Sequence, residues 1–167
     1  MINRRFEAVS PTLSIYRPDQ PILSYATGNH FSRSPLEKAN MRVDEAIRWT
    51  SPVKHFMRNA TADTQVRGMD VRAMERLMIC YPSGNRDEDV FPDADRFDIT
   101  RSPNPHIAFG FGPHMCLGQH LAKLEMRILF EELLPHLESV EMAGDPRLVE
   151  TNFVGGYKAL PIRFRKA

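Results

Sequence analysis

Between Phe109 and Gly118 the chain reads Phe-Gly-Phe-Gly-Pro-His-Met-Cys-Leu-Gly, and this stretch leaves the backbone few options. Three glycines, Gly110, Gly112 and Gly118, can take conformations that other residues avoid, and Pro113 fixes its own φ, so a tight irregular turn is expected. Directly after it, Leu117, Leu121, Leu124, Ile128, Leu129 and Leu133 are apolar at helical spacing, which predicts a helix running to Leu134. The turn therefore feeds a helix N-terminus, and Cys116 stands at the junction.

The rest of the chain is organised around shorter signals. Ser34-Pro35-Leu36-Glu37 reads as a helix start, with Ser34 as N-cap and Pro35 at the first helical position. That helix is predicted to run through Val43, Ala46 and Ile47 until Pro52 stops it. Phe56 to Ala60, Gln65 to Val71 and Leu77 to Tyr81 read as a small cluster of strands, Ser83 to Asp89 as a short helix, and 92 to 106 as ordered loop. Phe153 to Phe164, with Gly155-Gly156 and Pro161, is expected to form a terminal strand pair. Residues 1 to 33 carry no sustained period and are unassigned, read as loop or poorly ordered. The expected fold class is mainly α with a small β portion (α+β), in one domain over 34–167.

Composition excludes more than it selects. At 167 residues, 42% hydrophobic and 26% charged, the chain can bury one sizeable core. A net charge of +1 gives no argument for nucleic acid or an anionic membrane. No apolar stretch approaches a membrane span, and the N-terminus lacks the apolar run of a signal peptide. Two cysteines, Cys80 and Cys116, do not make a disulfide framework. A soluble protein of the reducing cytoplasm is expected.

Cys116 carries the chemistry. A helix N-terminus offers free N–H groups and a partial positive charge, which favour thiolate over thiol. A soft anionic sulfur on a rigid loop suits iron. Gly118 leaves room for a large flat ligand close to the backbone, and Phe109 can pack against such a ligand and shield the sulfur. Two other readings stay open on residue chemistry alone. One is a buried structural cysteine, the usual fate of a free thiol. The other is a zinc site using His114, Cys116 and His120, although structural zinc normally takes four ligands.

The same segment resembles the haem-binding signature of the cytochromes P450, Phe-x-x-Gly-x-His/Arg-x-Cys-x-Gly, which Phe109, Gly112, His114, Cys116 and Gly118 match in order. Gln119-His120-Leu121-Ala122 continues the likeness to soluble bacterial members. The resemblance implies that Cys116 is the axial ligand of haem b (iron protoporphyrin IX) and that His114 reaches a haem propionate. It extends upstream. Glu45 and Arg48 share a helix face and are similar to the family's Glu-x-x-Arg pair, with Arg96, in the Pro92-Asp93-Ala94-Asp95-Arg96-Phe97 segment, as the candidate third member. Such a network pins the cysteine loop and is not catalytic. Arg58 matches an arginine that pairs with a propionate in the family, and arginine suits a carboxylate by its bidentate geometry. Val53 and Phe56 line the haem edge or are plain core. Ser83 to Glu88 resembles the short segment before the Pro-rich loop.

The likeness also has gaps. The family's oxygen-activating helix, with an acid–Thr pair beside glycine, has no counterpart here. Neither has its Trp-x-x-x-Arg helix or its substrate lid, and the chain is less than half the family's usual length. Met74 stands where the family's strand turn usually has glycine. The expectation is thus the C-terminal, haem-proximal part of a soluble monooxygenase fold, truncated or split, partnered by the missing N-terminal half. In the intact enzyme the resemblance implies a small apolar substrate and electrons from a ferredoxin or flavoprotein. Lys123, Arg127 and Arg101 are candidates to dock an acidic partner of that kind. Asn104-Pro105-His106 and Asn152 to Gly156 resemble members acting on steroid or branched lipid chains. The alternative is a non-catalytic remnant or partner-binding module without haem.

Overall fold

The computed structural model describes the backbone of residues 35–167 and the side chains from Val43 onward, so the expected Ser34 cap and residues 1 to 33 lie outside the described residues. Helix α1 (Pro35–Thr50) follows its apolar period and buries Val43, Ala46, Ile47 and Trp49. It stops at Ser51, whose φ of 39° is left-handed and whose N–H still donates to the Ile47 carbonyl at 2.9 Å. A left-handed residue followed by proline, here Pro52, is a common helix terminator.

Strand β1 (His55–Asn59) pairs antiparallel with β4 (Arg76–Cys80), setting Phe56 opposite Ile79 and Met57 opposite Met78. Gln65 to Val71 does not form a single strand. It breaks into a hairpin of β2 (Thr64–Val66) and β3 (Met69–Val71). Arg67 and Gly68 at its tip have φ of 46° and 78°, the doubly left-handed turn whose twist matches a two-stranded ribbon. Met74 has φ 69°, so a methionine occupies the left-handed position where glycine was the expected residue. That conformation costs an L-residue about 1–2 kcal/mol.

The short helix sits earlier than expected. It is α2 (Tyr81–Gly84), not Ser83 to Asp89, because Pro82 takes a first-turn position where its missing N–H costs nothing. From Asn85 to Gly118 the chain runs without a long regular element. It lays Phe91, Ala94, Phe97 and Ala108 into the core, Phe97 meeting Trp49 edge-on with ring centres 5.8 Å apart. Helix α3 (Gln119–Leu133) then packs Met126 and Phe130 against the buried cluster of Val43, Ile47 and Ala108.

At the C-terminal end the expected strand pair is corrected. Strands β7 (Tyr157–Ala159) and β8 (Ile162–Lys166) do not pair with each other. They form the return side of a ribbon whose outgoing side is β5 (Leu137–Met142) and β6 (Arg147–Leu148), β5 with β8 and β6 with β7. Pro161 lies between β7 and β8 and has no N–H to give the ladder, so the ribbon divides there. The tip of this ribbon docks on the α1–β1 link. Val154 bridges Val53, Lys54 N–H donates to the Phe153 carbonyl at 2.8 Å, and Gly155 N–H donates to Pro52 at 2.7 Å. Among the described residues no helix is long and apolar enough to cross a membrane.

Candidate cofactor site

Glu45 and Arg48 are both fully buried. All five N–H groups of the Arg48 guanidinium are used. Nε and Nη2 donate to the two Glu45 carboxylate oxygens at 2.8 and 2.7 Å. Nη1 donates to the carbonyls of Asn85 and Ala94 at 2.7 and 2.9 Å, and Nη2 also to that of Arg96 at 3.1 Å. Glu45 is equally occupied, accepting from the Asp98 N–H at 2.8 Å and Asn104 Nδ2 at 3.0 Å. A buried ion pair survives only when its remaining donors and acceptors are satisfied in this way.

The expected third member is corrected by this geometry. The Arg96 side chain is exposed, and the residue gives the network only its carbonyl. Arg101 takes the place instead, its Nε 3.4 Å from Glu45 Oε2 with the side chain nearly buried. Arg101 also donates to the carbonyls of Pro92 and Asp93 at 2.8 and 3.1 Å. It is therefore turned inward, away from the docking role its charge invited. Two arginines five residues apart in one proline-bounded loop look alike in sequence, and only the fold of the loop decides which one reaches the carboxylate. Asn85 was also missed. It is fully buried, its Nδ2 donates to Ser51 Oγ at 2.8 Å, and its Oδ1 accepts from the Ile107 N–H at 2.7 Å. Arg86 lies over the Trp49 ring at 4.8 Å and donates to the Trp49 carbonyl at 3.0 Å. Burial, and then repulsion from Arg48, lower its pKa.

This anchored segment delivers the cysteine turn. Gly110 and Gly112 have φ of 80° and 65°. A Cβ on Gly110 would lie 3.1 Å from the His114 carbonyl oxygen, so a side chain there is excluded by contact as well as by conformation. Gly112 to His114 make a single 3₁₀ turn. The Cys116 N–H donates to the Phe109 carbonyl at 2.8 Å, and the Cys116 carbonyl accepts from the Gln119 N–H at 3.3 Å, closing the turn onto the start of α3. Cys116 is free and exposed, which contradicts the buried-cysteine reading. His114, Cys116 and His120 do not converge as a zinc site, since no group of three or more metal-ligating His, Cys, Asp or Glu side chains assembles among the described residues.

The surroundings fit a flat apolar cofactor. Leu117, the residue after Cys116, is 99% exposed, and Phe111, earlier on the same turn, is 79% exposed. Gly118 has an ordinary φ of −83°, and nothing lies within 4 Å of where its Cβ would be. Neither conformation nor crowding inside the chain calls for glycine at 118. The open space itself is what a side chain would spoil. Phe109, by contrast, does not face the sulfur freely. Its ring packs on the Val43–Ile47–Ala108 cluster. Arg58, on β1, donates to the neighbouring Met57 carbonyl at 2.8 Å, and His114 is exposed. No hydrogen bond or ion pair joins either to Cys116 among the described residues. Phe56 meets Tyr81 and Phe153 edge-on, at 6.1 and 5.3 Å between ring centres.

Comparison with known proteins places these features in a family. The profile of the family described as Cytochrome P450 matches residues 30–161. Cytochrome P450-terp of a Pseudomonas species is 68% identical over 125 residues, covering 75% of this chain and 29% of the relative. A steroid C26-monooxygenase of Mycolicibacterium smegmatis is 47% identical over 124 residues, covering 73% and 31%. The crystal structure of CYP108D1 from Novosphingobium aromaticivorans superposes with a TM-score of 0.75 at 48% identity, over 80% of this chain and 32% of that one. The chain spans under a third of the length of these relatives. With the glycine-bounded cysteine before α3 and the buried Glu45–Arg48 pair behind it, these matches show that the chain belongs to the cytochrome P450 family.

Proposed function

We propose that this chain forms the haem-proximal part of a haem-thiolate monooxygenase, in which Cys116 is the axial ligand of haem b and an apolar substrate is hydroxylated with O2. The single observation that carries the reading is an exposed cysteine on a doubly left-handed turn at the start of α3, beside open space at Gly118. Held there by Cys116, a haem would supply oxygen-activating redox chemistry, which a thiolate ligand would favour. The chain's own contribution is to hold the sulfur. The Glu45–Arg48–Arg101 network fixes the loop behind it, and the turn sets the sulfur just before the N-terminus of α3. His114 and Arg58 are assigned to the haem propionates, as residues of the right chemistry on the turn and on β1. Electrons are assigned to a ferredoxin or flavoprotein. The steroid-oxidising relative favours an apolar substrate of steroid size. Turnover is assigned to the whole fold, since α3 leaves its apolar row uncovered here.

The test is reconstitution of the 167-residue chain with haem, followed by reduction under carbon monoxide. A red-shifted Soret band that disappears in Cys116→Ala is expected. Absence of that band in the parent chain, or its survival in the variant, overturns the assignment.

A further inference from the structure

We propose that Asp44 is a positioning residue for Cys116, because one of its carboxylate oxygens ties the segment entering the cysteine turn to the helix leaving it. The inference rests on the assignment of Cys116 as haem ligand, but its geometry stands apart from it. Asp44 Oδ1 lies 2.8 Å from Lys123 Nζ on α3 and 3.5 Å from His106 Nε2, three residues before Phe109. The His106 side chain is nearly buried. The Phe109 ring lies near both of these partners of Asp44. Its centre is 6.1 Å from the His106 ring and 5.7 Å from Lys123 Nζ. The Phe109 carbonyl in turn accepts the Cys116 N–H at 2.8 Å. Burial alone would raise the Asp44 pKa. The close contacts and charges of His106 and Lys123 outweigh it and hold the group below its ordinary value, so the carboxylate is the form these contacts select.

Asp44 does work that Glu45 does not. Glu45 and Asn85 grip the loop upstream, at Asp98, Asn104 and Ile107. None of these bonds reaches α3. Among the described residues, the Lys123–Asp44 pair is the side-chain ion pair that joins α3 to α1. It sets the angle at which the helix leaves the turn, and with it the position of the sulfur relative to the loop behind. Neighbouring carboxylates on one helix thus divide the task, one fixing the loop and the other fixing the helix to it.

Amide hydrogen exchange on the full chain without haem tests this directly. In Asp44→Asn the Cys116 amide is expected to exchange a few-fold faster, about the loss of one part-exposed ion pair. The Asp98 and Ile107 amides, held by Glu45 and Asn85, should keep their parent rates. Lys123→Gln should match Asp44→Asn, the double variant should add little to either, and Lys123→Arg should restore protection. An unchanged Cys116 amide in Asp44→Asn, or equal acceleration at all three amides, overturns the proposal. After haem loading, the red-shifted carbon monoxide band should weaken in Asp44→Asn and recover in Lys123→Arg. A parent chain without that band defeats the haem assignment while leaving the exchange result to decide the role of Asp44.

Discussion

The Glu45–Arg48 anchor and the Cys116 turn are consecutive parts of one loop system, and they treat their own chemistry in opposite ways. In the anchor, five guanidinium N–H groups and two carboxylate oxygens all find partners within the chain, and neither side chain has any exposed surface. At the turn the sulfur is bare, Leu117 and Phe111 stand in the open, and no residue of α3 is buried. A chain that satisfies the Glu45–Arg48 pair completely in one place and leaves a thiol and a row of leucines open nearby has concentrated its internal bonding in the first and left the second free for other contacts. Exposed apolar groups of this extent mark a surface that something else covers.

The largest effect expected from breaking this contrast lies in the anchor. Arg48→Ala would leave the Glu45 carboxylate buried without its fork and take the donor from three carbonyls. Removing one partner of a buried pair costs about 3–5 kcal/mol, against a whole-domain stability of about 5–15 kcal/mol. Urea denaturation followed by circular dichroism should show a collapsed midpoint, and a midpoint within error of the parent would mean that the network is not closed as described. Arg101→Ala ranks next, at about 1–3 kcal/mol for the polar groups it leaves unpaired. Arg96→Ala should be silent, because the carbonyl it contributes survives the substitution. The reverse ranking would restore Arg96 as the third member.

How much of this was legible in the sequence follows the same division. The turn, α3 and the Glu45–Arg48 pairing could be read because each depends on spacing along one segment: glycine positions, a helical period, a three-residue step. Arg101, Asn85 and Asn104 could not, because their roles are set by where an irregular loop of some thirty residues returns in space. Asn85 gives one group each to Arg48 and Ser51 at the end of α1 and a third to Ile107 in the loop, and no local pattern encodes that. The ribbon failed for a related reason. Phe153 to Phe164 read as a strand pair in itself, yet Pro161 is a break within one side of a longer ribbon. Ser51 and Met74, left-handed without being glycine, leave no signal in composition.

Acid should separate the two regions more gently. Burial alone would raise the Asp98 pKa, but the Thr100 hydroxyl and N–H, followed by the charges of Arg96 and Arg101, lower it. Asp44 is lowered by the same balance with His106 and Lys123. A carboxylate whose folded value is depressed contributes stability that is present above its ordinary value of 3.8 and is lost as pH falls through the folded one. The denaturation midpoint should be flat above the carboxylate range and fall below it. Asp98→Asn should flatten that fall, and an identical slope in the variant would assign the acid sensitivity elsewhere.

The smallest effect on stability is expected at Cys116 itself. Cys116→Ala removes an exposed sulfur that makes no side-chain bond among the described residues. The hydrogen bonds that close the turn belong to the Cys116 backbone, to Phe109 and to Gln119, and alanine keeps them. Surface substitutions away from caps, cores and strained positions usually stay within about 0.5 kcal/mol. Thermal unfolding of the chain without haem should therefore be unmoved, while the thiolate signature with haem and carbon monoxide vanishes. A variant that loses both together would show that the sulfur packs inside the chain, and the contrast between a closed anchor and an open turn would fail at its centre.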